Sequence, residues 1–205
     1  SEVISVDKAV IKGAREWLIN KQQPDGSWGS AQHTAYVARI IAQASPEQSE
    51  ALKRAVAYVS KNVPASNDPY FLATYALAAV DIGDVARAKP AMDKLRTLSH
   101  DKETALYWGV ETSTPFHGWG LAGQVEATAL VVQALSRYCE AQSTDCEVNK
   151  KLINLALLFI LKEKDRYGVW YSTQATINSL DALLMSLVKQ SADQGSSAET
   201  HLVIN

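Results

Sequence analysis

Two stretches centred on Trp28 and Trp170, 142 positions apart, spell nearly the same turn. With these tryptophans superposed, Trp17 falls on Phe159, Gly26 on Gly168, Ser30 on Ser172, Gln32 on Gln174 and Thr34 on Thr176. The second half of the unit recurs at Thr74-Tyr75-Ala76-Leu77 and at Thr128-Ala129-Leu130-Val131, so four threonines stand 40, 54 and 48 residues apart. Periods of that size belong to stacked helical hairpins, because each unit buries against its neighbours a face that it cannot bury alone. The expectation is an all-α fold whose hairpins curve around a common axis. The structural repeat motif is carried by Gln23, Gly26, Trp28 and Thr34 in the first copy and by Gly168, Trp170, Gln174 and Thr176 in the last. Each tryptophan is a large apolar ring beside a glycine turn, a role in stability rather than in ligand binding.

Cap signals divide the chain into eight helices, predicted at 6–22, 31–44, 46–61, 69–82, 84–98, 125–140, 146–163 and 173–190. Ser45-Pro46-Glu47-Gln48 offers a serine cap, proline at the first helical position and glutamine at the third, which together satisfy orphan amides at a helix start. Asp68-Pro69 and Thr144-Asp145-Cys146-Glu147 read the same way. The second helix of each hairpin, beginning near Ala31, Pro69, Val125 and Thr173, is expected to form an inner layer. Small residues such as Ala73, Ala76, Ala78 and Ala79 let neighbouring backbones approach there. Lys102 to Gly123, with Tyr107, Trp108, Phe116, His117 and Trp119 among glycines, is expected to be an ordered loop that could include a short hairpin. Ser191 to Thr200 has the composition of a flexible linker, and His201-Leu202-Val203-Ile204-Asn205 the β-branched character of a strand.

With 47% apolar and 20% charged residues in 205, the chain can bury a sizeable core. A net charge of −2 and the absence of any basic run give no electrostatic footprint for nucleic acid or for an anionic membrane. No transmembrane segment is expected, since even Leu152 to Leu161, which reads as a buried helix, is interrupted by Asn154. The start, Ser1-Glu2-Val3-Ile4, lacks the features of a signal peptide, so any targeting segment is expected to have been removed or to lie upstream. Cys139 and Cys146 are the only cysteines and flank one turn, so they are a candidate disulfide, with two thiols as the alternative. Export would favour the bridge. Two thiols without a nearby histidine do not suggest a metal site.

No cofactor is implied. The chain has no phosphate-binding Gly-x-x-x-x-Gly-Lys loop, no Gly-x-Gly-x-x-Gly fingerprint and no His-Glu-x-x-His zinc pattern. His33, His100, His117 and His201 are scattered. His117 could serve as a base or a binding contact within the aromatic loop, but the reading preferred here is a packed structural residue. Glu126 and Asp181 both fall on inner-layer helices, where paired carboxylates could act as hydrolase acid and base. The preferred reading is a hydrogen-bonded or solvated carboxylate at a helix start for Glu126 and a polar lining position for Asp181. No residue is assigned a catalytic role.

The residues of the repeat also carry a family resemblance. Gln22-Gln23-Pro24-Asp25-Gly26-Ser27-Trp28-Gly29 resembles the glutamine-to-tryptophan motif of α/α-toroid proteins, which include terpenoid cyclases, prenyltransferase β subunits and thioester-containing proteins. Tyr167 to Thr176, Tyr-Gly-Val-Trp-Tyr-Ser-Thr-Gln-Ala-Thr, resembles the Gly-Gly-x-x-Ser-Thr-Gln-x-Thr signature of the thioester domain of alpha-2-macroglobulin and complement components. Gln124-Val125-Glu126-Ala127-Thr128-Ala129-Leu130 resembles that family's Val-Glu-x-Thr-x-Tyr-x-Leu-Leu segment. The resemblance implies an α/α toroid, here an incomplete ring, over residues 1–190, with 191–205 a linker and the start of a neighbouring β domain. It also implies an exported protein, bacterial in style, at the periplasm, the cell surface or secreted, in protease trapping or surface defence. Its partners would then be other domains of the same larger protein, and proteases. The family's Cys-Gly-Glu-Gln thioester is not found in the chain, since Cys139-Glu140-Ala141-Gln142 and Cys146-Glu147-Val148-Asn149 do not fit it. The family's assisting histidine lies in an insert missing here, so His33 is not given that role. A chain without enzymatic activity is expected. One alternative is a plain toroid scaffold that binds partners. Another is a terpenoid-cyclase-like or helical-barrel hydrolase, against which stands the lack of clustered aspartates and of zinc ligands.

Overall fold

In the computed structural model, residues 6–44, 49–142 and 146–193 are described. Their elements run α1 (Lys8–Asn20), α2 (Ala31–Ala44), α3 (Glu50–Ser60), α4 (Pro69–Asp81), α5 (Val85–Thr97), β1 (Ser99–Lys102), β2 (Ala105–Trp108), α6 (Gly120–Ala141), α7 (Cys146–Lys162) and α8 (Thr173–Asp193). The fold is all-α apart from one antiparallel hairpin, in which Ser99 pairs with Trp108 and Lys102 with Ala105. Helix α4 packs on α2 and α6, and α6 packs on α8, so the even-numbered helices form a contiguous inner layer. The odd-numbered helices lie outside, and α3, α5 and α7 each pack more heavily on the inner helix that precedes them than on the one that follows.

Burial follows that layering. In α4 eleven residues from Pro69 to Ala79 are buried, and its alanines give neighbours on all sides room to approach. Helix α1 buries none of its residues, and among the described elements it packs chiefly on α2. Leu152 to Leu161 is therefore less buried than its composition suggests. In α7 the buried residues are Asn149, Ile153, Ala156, Phe159 and Ile160, while Leu158 and Leu161 face solvent on the outer side.

Several boundaries differ from those predicted. Helix α3 begins at Glu50 behind the cap Ser49, whose hydroxyl accepts from the Leu52 amide at 3.3 Å. The predicted cap at Ser45 to Gln48 lies outside the described residues, as do Thr144 and Asp145 before α7. Asp68 caps α4 as expected, accepting from the Tyr70 amide at 3.0 Å. Helix α6 starts at Gly120, five residues before Val125, because the preceding loop packs onto that extra turn. Gly123 permits this: a Cβ there would stand 2.7 Å from Val110 Cγ2 and 2.9 Å from the Gly118 carbonyl. Helix α8 continues to Asp193, three residues into the stretch read as linker, and residues 194–205 lie outside the described residues.

Candidate functional site

The repeat motif builds one clasp three times. Trp28 donates its indole N–H to the Leu18 carbonyl at 2.7 Å, and its backbone N–H goes to Thr34 Oγ1 at 2.9 Å. Trp170 does the same with Ile160 at 2.7 Å and Thr176 at 3.1 Å. Trp108, from the aromatic stretch between Lys102 and Gly123, is the third member, bound to Leu95 at 2.7 Å and Thr128 at 3.0 Å. In each case the accepting carbonyl lies in the last turn of the outer helix, where the i to i+4 bonds run out, and those of Leu18 and Leu95 also accept from the amides of Lys21 and Leu98. The sequence signal for Trp108 was the dipeptide Trp108-Gly109, echoing Trp28-Gly29. Twenty residues separate Trp108 from its threonine, against six in the other two clasps.

The surrounding motif residues shape the turn. Gly26 has φ +92°, and a Cβ there would lie 2.7 Å from the Arg54 carbonyl. Gly168 repeats the left-handed conformation at φ +83°. Gln23 accepts from Ser27 Oγ at 3.1 Å, closing the first turn. Gln32 reaches the next inner helix, donating to the cap Asp68 at 2.9 Å. Gln174, its repeat counterpart, is half-buried on α8 and makes no side-chain hydrogen bond among the described residues.

The extra residues of the third clasp form a lid over one end of the inner layer. Thr114 receives the Gly118 amide on its hydroxyl at 2.9 Å and donates to Glu126 Oε2 at 3.0 Å. Gly118 is required there, since a Cβ would come within 2.6 Å of that carboxyl oxygen. Phe116 crosses to α2 and packs edge-on against Tyr36, with ring centroids 4.9 Å apart. Glu126 is 1% exposed, and among the described residues its Oε1 has no hydrogen-bond partner. Burial raises its carboxyl above the ordinary range, and only the Thr114 bond opposes this. Glu126 is hydrogen-bonded, as the preferred reading expects, but it is buried and lies in the second turn of α6 rather than at the helix start. His117 departs from the expected packed ring. It is exposed, has φ +61° and serves the turn through its backbone N–H, bonded to the Thr114 carbonyl at 2.9 Å.

Deeper along the axis, Arg39 of α2 is buried and donates to Gln133 Oε1 at 2.5 Å, while Gln133 Nε2 donates to the Asn178 carbonyl at 2.9 Å. Beyond it a cavity of about 510 Å³ opens between the C-terminal halves of the inner helices, lined by Leu77, Leu184 and Met185 with Asp81, Arg137 and Asp181. Arg137 pairs with Asp81 at 2.7 Å. Asp181 is exposed on the cavity wall, where partial desolvation raises its carboxyl and the nearby Arg39 charge partly offsets this. Asp181 lines this cavity, whereas Glu126 lies seven residues, about 10 Å of helical rise, before Gln133 on α6, where Thr114 holds it under the lid.

The other singled-out residues lie elsewhere. His33 is exposed beside Ser30 at 2.9 Å, and His100 rests on Tyr107 with centroids 5.3 Å apart. His201 is outside the described residues. Cys139 and Cys146 are not disulfide-bonded. Among the described residues no group of three or more His, Cys, Asp or Glu could hold a metal ion, and no helix is long and apolar enough to cross a membrane. The family model described as the A-macroglobulin TED domain matches residues 1–185. No curated protein matches the sequence.

Proposed function

The chain belongs to the A-macroglobulin TED, or thioester, domain family, and from that premise we propose that it serves protease trapping or surface defence as a non-catalytic toroid. In this reading it works by docking on other domains of a larger, exported alpha-2-macroglobulin-like protein. What supports a non-catalytic reading is that the two carboxyl groups on the inner helices have separate surroundings, Glu126 held by Thr114 under the lid and Asp181 on the cavity wall near Arg39. The two thiols belong to other positions, Cys139 in the last turn of α6 and Cys146 at the start of α7. A thioester needs a cysteine thiol joined to a glutamine carbonyl across a tight glycine turn, and the chain has no Cys-Gly-Glu-Gln. The exposed aromatic residues of the lid, Phe116 and Trp119 at 40% and 64%, fit a surface that meets protein.

Two measurements test this reading. Methylamine treatment followed by intact-mass measurement should leave the chain unmodified, and a stoichiometric covalent gain would overturn its chemical silence. The larger protein that carries this chain should, after mixing with an endoprotease, leave the enzyme active on a short peptide but blocked on a protein substrate. If both activities persist, protease trapping is wrong and a plain interaction scaffold is the better description.

A further inference from the structure

We infer that Cys139 and Cys146 form a redox pair, whose oxidation to an intramolecular disulfide staples α6 to α7. Cys139 lies in the last turn of α6 and Cys146 is the first residue of α7. The Cys146 sulfur is already folded back onto α6, 3.2 Å from the Gln142 carbonyl and 3.7 Å from the carbonyl of Cys139 itself. One turn further along α7, Asn149 donates its side-chain amide to the Cys139 sulfur at 3.3 Å. Residues 146 and 149 share a helix face, so Cys139 sits opposite both of them. Each sulfur already touches the other's helix, so rotation about the side-chain torsions is the movement that brings the two together.

Exposure sets the order of the chemistry. Cys139 is 8% exposed, whereas Cys146 is only half-buried and meets solvent first. The oxidant is a low-molecular-weight or protein disulfide. The Cys146 thiolate attacks one of its sulfurs, the new S–S bond forms as the old one breaks, and the departing thiolate takes up the Cys146 proton. The Cys139 thiolate then attacks the Cys146 sulfur, and the second thiolate leaves with the Cys139 proton. Two protein thiols are thereby oxidised by two electrons, and the incoming disulfide is reduced to two thiols. The bridge would close the chain from Cys139 to Cys146 across the turn, which restricts the unfolded state and holds the third inner helix to the outer helix packed most closely on it. It would form in an oxidising compartment and open in a reducing one.

The test uses the full chain, reduced and then exposed to oxidised glutathione, with iodoacetamide quenching at intervals and intact-mass measurement. The expected product has lost two hydrogens, takes up no alkyl group and carries no glutathione. The Cys139→Ser variant should instead stop as a stable glutathione adduct at Cys146, and Cys146→Ser should react much more slowly. The oxidised wild type should melt roughly 5 °C above the reduced one. If wild type stops at the adduct, links two chains together, stays alkylatable at both thiols or melts lower when oxidised, the pair is not a staple.

Discussion

The turn at Trp28 and the turn at Trp108 use the same pair of hydrogen bonds, yet one is closed by six residues of chain and the other by twenty. At Trp28 the clasp is at the edge of the arc, the ring is only half-buried, and the helix that supports it buries no residue. At Trp108 the clasp lies inside the arc, the ring is fully buried, and the inserted residues form a lid pinned by Thr114 to Glu126. The chain path varies on both sides of the tryptophan, by three residues before it and by fourteen between it and its threonine. The clasp tolerates an insertion there because both of its ends are anchored on helices that pack independently of the intervening loop.

The largest difference between the two turns should appear on truncating the rings. Trp108→Ala is expected to cost about 3–5 kcal/mol and Trp28→Ala about half as much, read from urea unfolding midpoints at constant slope. Equal losses would mean that position in the arc does not matter. Next comes the backbone. Gly26→Ala should cost about 2–3 kcal/mol, because both left-handed strain and the approach to the Arg54 carbonyl act against it. Gly29→Ala, also at positive φ but with nothing within 4 Å of the new Cβ, should cost about 1 kcal/mol. Matching values would show that the contact with Arg54 carries no weight. Thr128→Val keeps the side-chain volume but strands the buried Trp108 amide, at about 1–2 kcal/mol, and Thr34→Val at the edge should cost less.

The smallest effect concerns the lid and its pH dependence. Burial raises the Glu126 carboxyl, so between its ordinary value of 4.5 and its folded value the native state holds a proton that the unfolded chain has lost. Its contribution to stability is therefore complete below 4.5 and falls as pH rises through that window. Asp68 and Asp181 are raised by burial too and act in the same direction. Thermal melts of Glu126→Gln and wild type across that range isolate the one group. The wild type should lose more stability than the variant towards neutral pH, and parallel curves would show that burial does not raise this carboxyl.

Much of this architecture was legible beforehand, because period and capping are local properties. The inner helices at Ala31, Pro69 and Thr173 begin where the repeat places them, and Asp68-Pro69 marks its helix start unaided. What could not be read depended on distant partners. Trp108 looked like one aromatic among several because its threonine is twenty residues away. Glu126 carried no mark of burial, since the residues that enclose it come from the lid and from other helices. The equivalence of Trp17 with Phe159 held in sequence but not in environment: Trp17 is 60% exposed and Phe159 1%. A repeat specifies the unit, whereas exposure depends on whether another unit stands beside it.

Gln133 gives the inner layer something like a mechanical coupling. Its carbonyl oxygen is held by Arg39 of α2 and its amide nitrogen holds the Asn178 carbonyl of α8, so one planar group spans three helices that are 94 and 45 residues apart along the chain. The amide is polar end to end and cannot be reversed without losing both bonds, which fixes its sense as firmly as its position. A slide of α2 along the axis must then be followed by α8 or break a hydrogen bond in a buried setting. Displacement at one edge of the arc is in this way transmitted to the other by a single side chain.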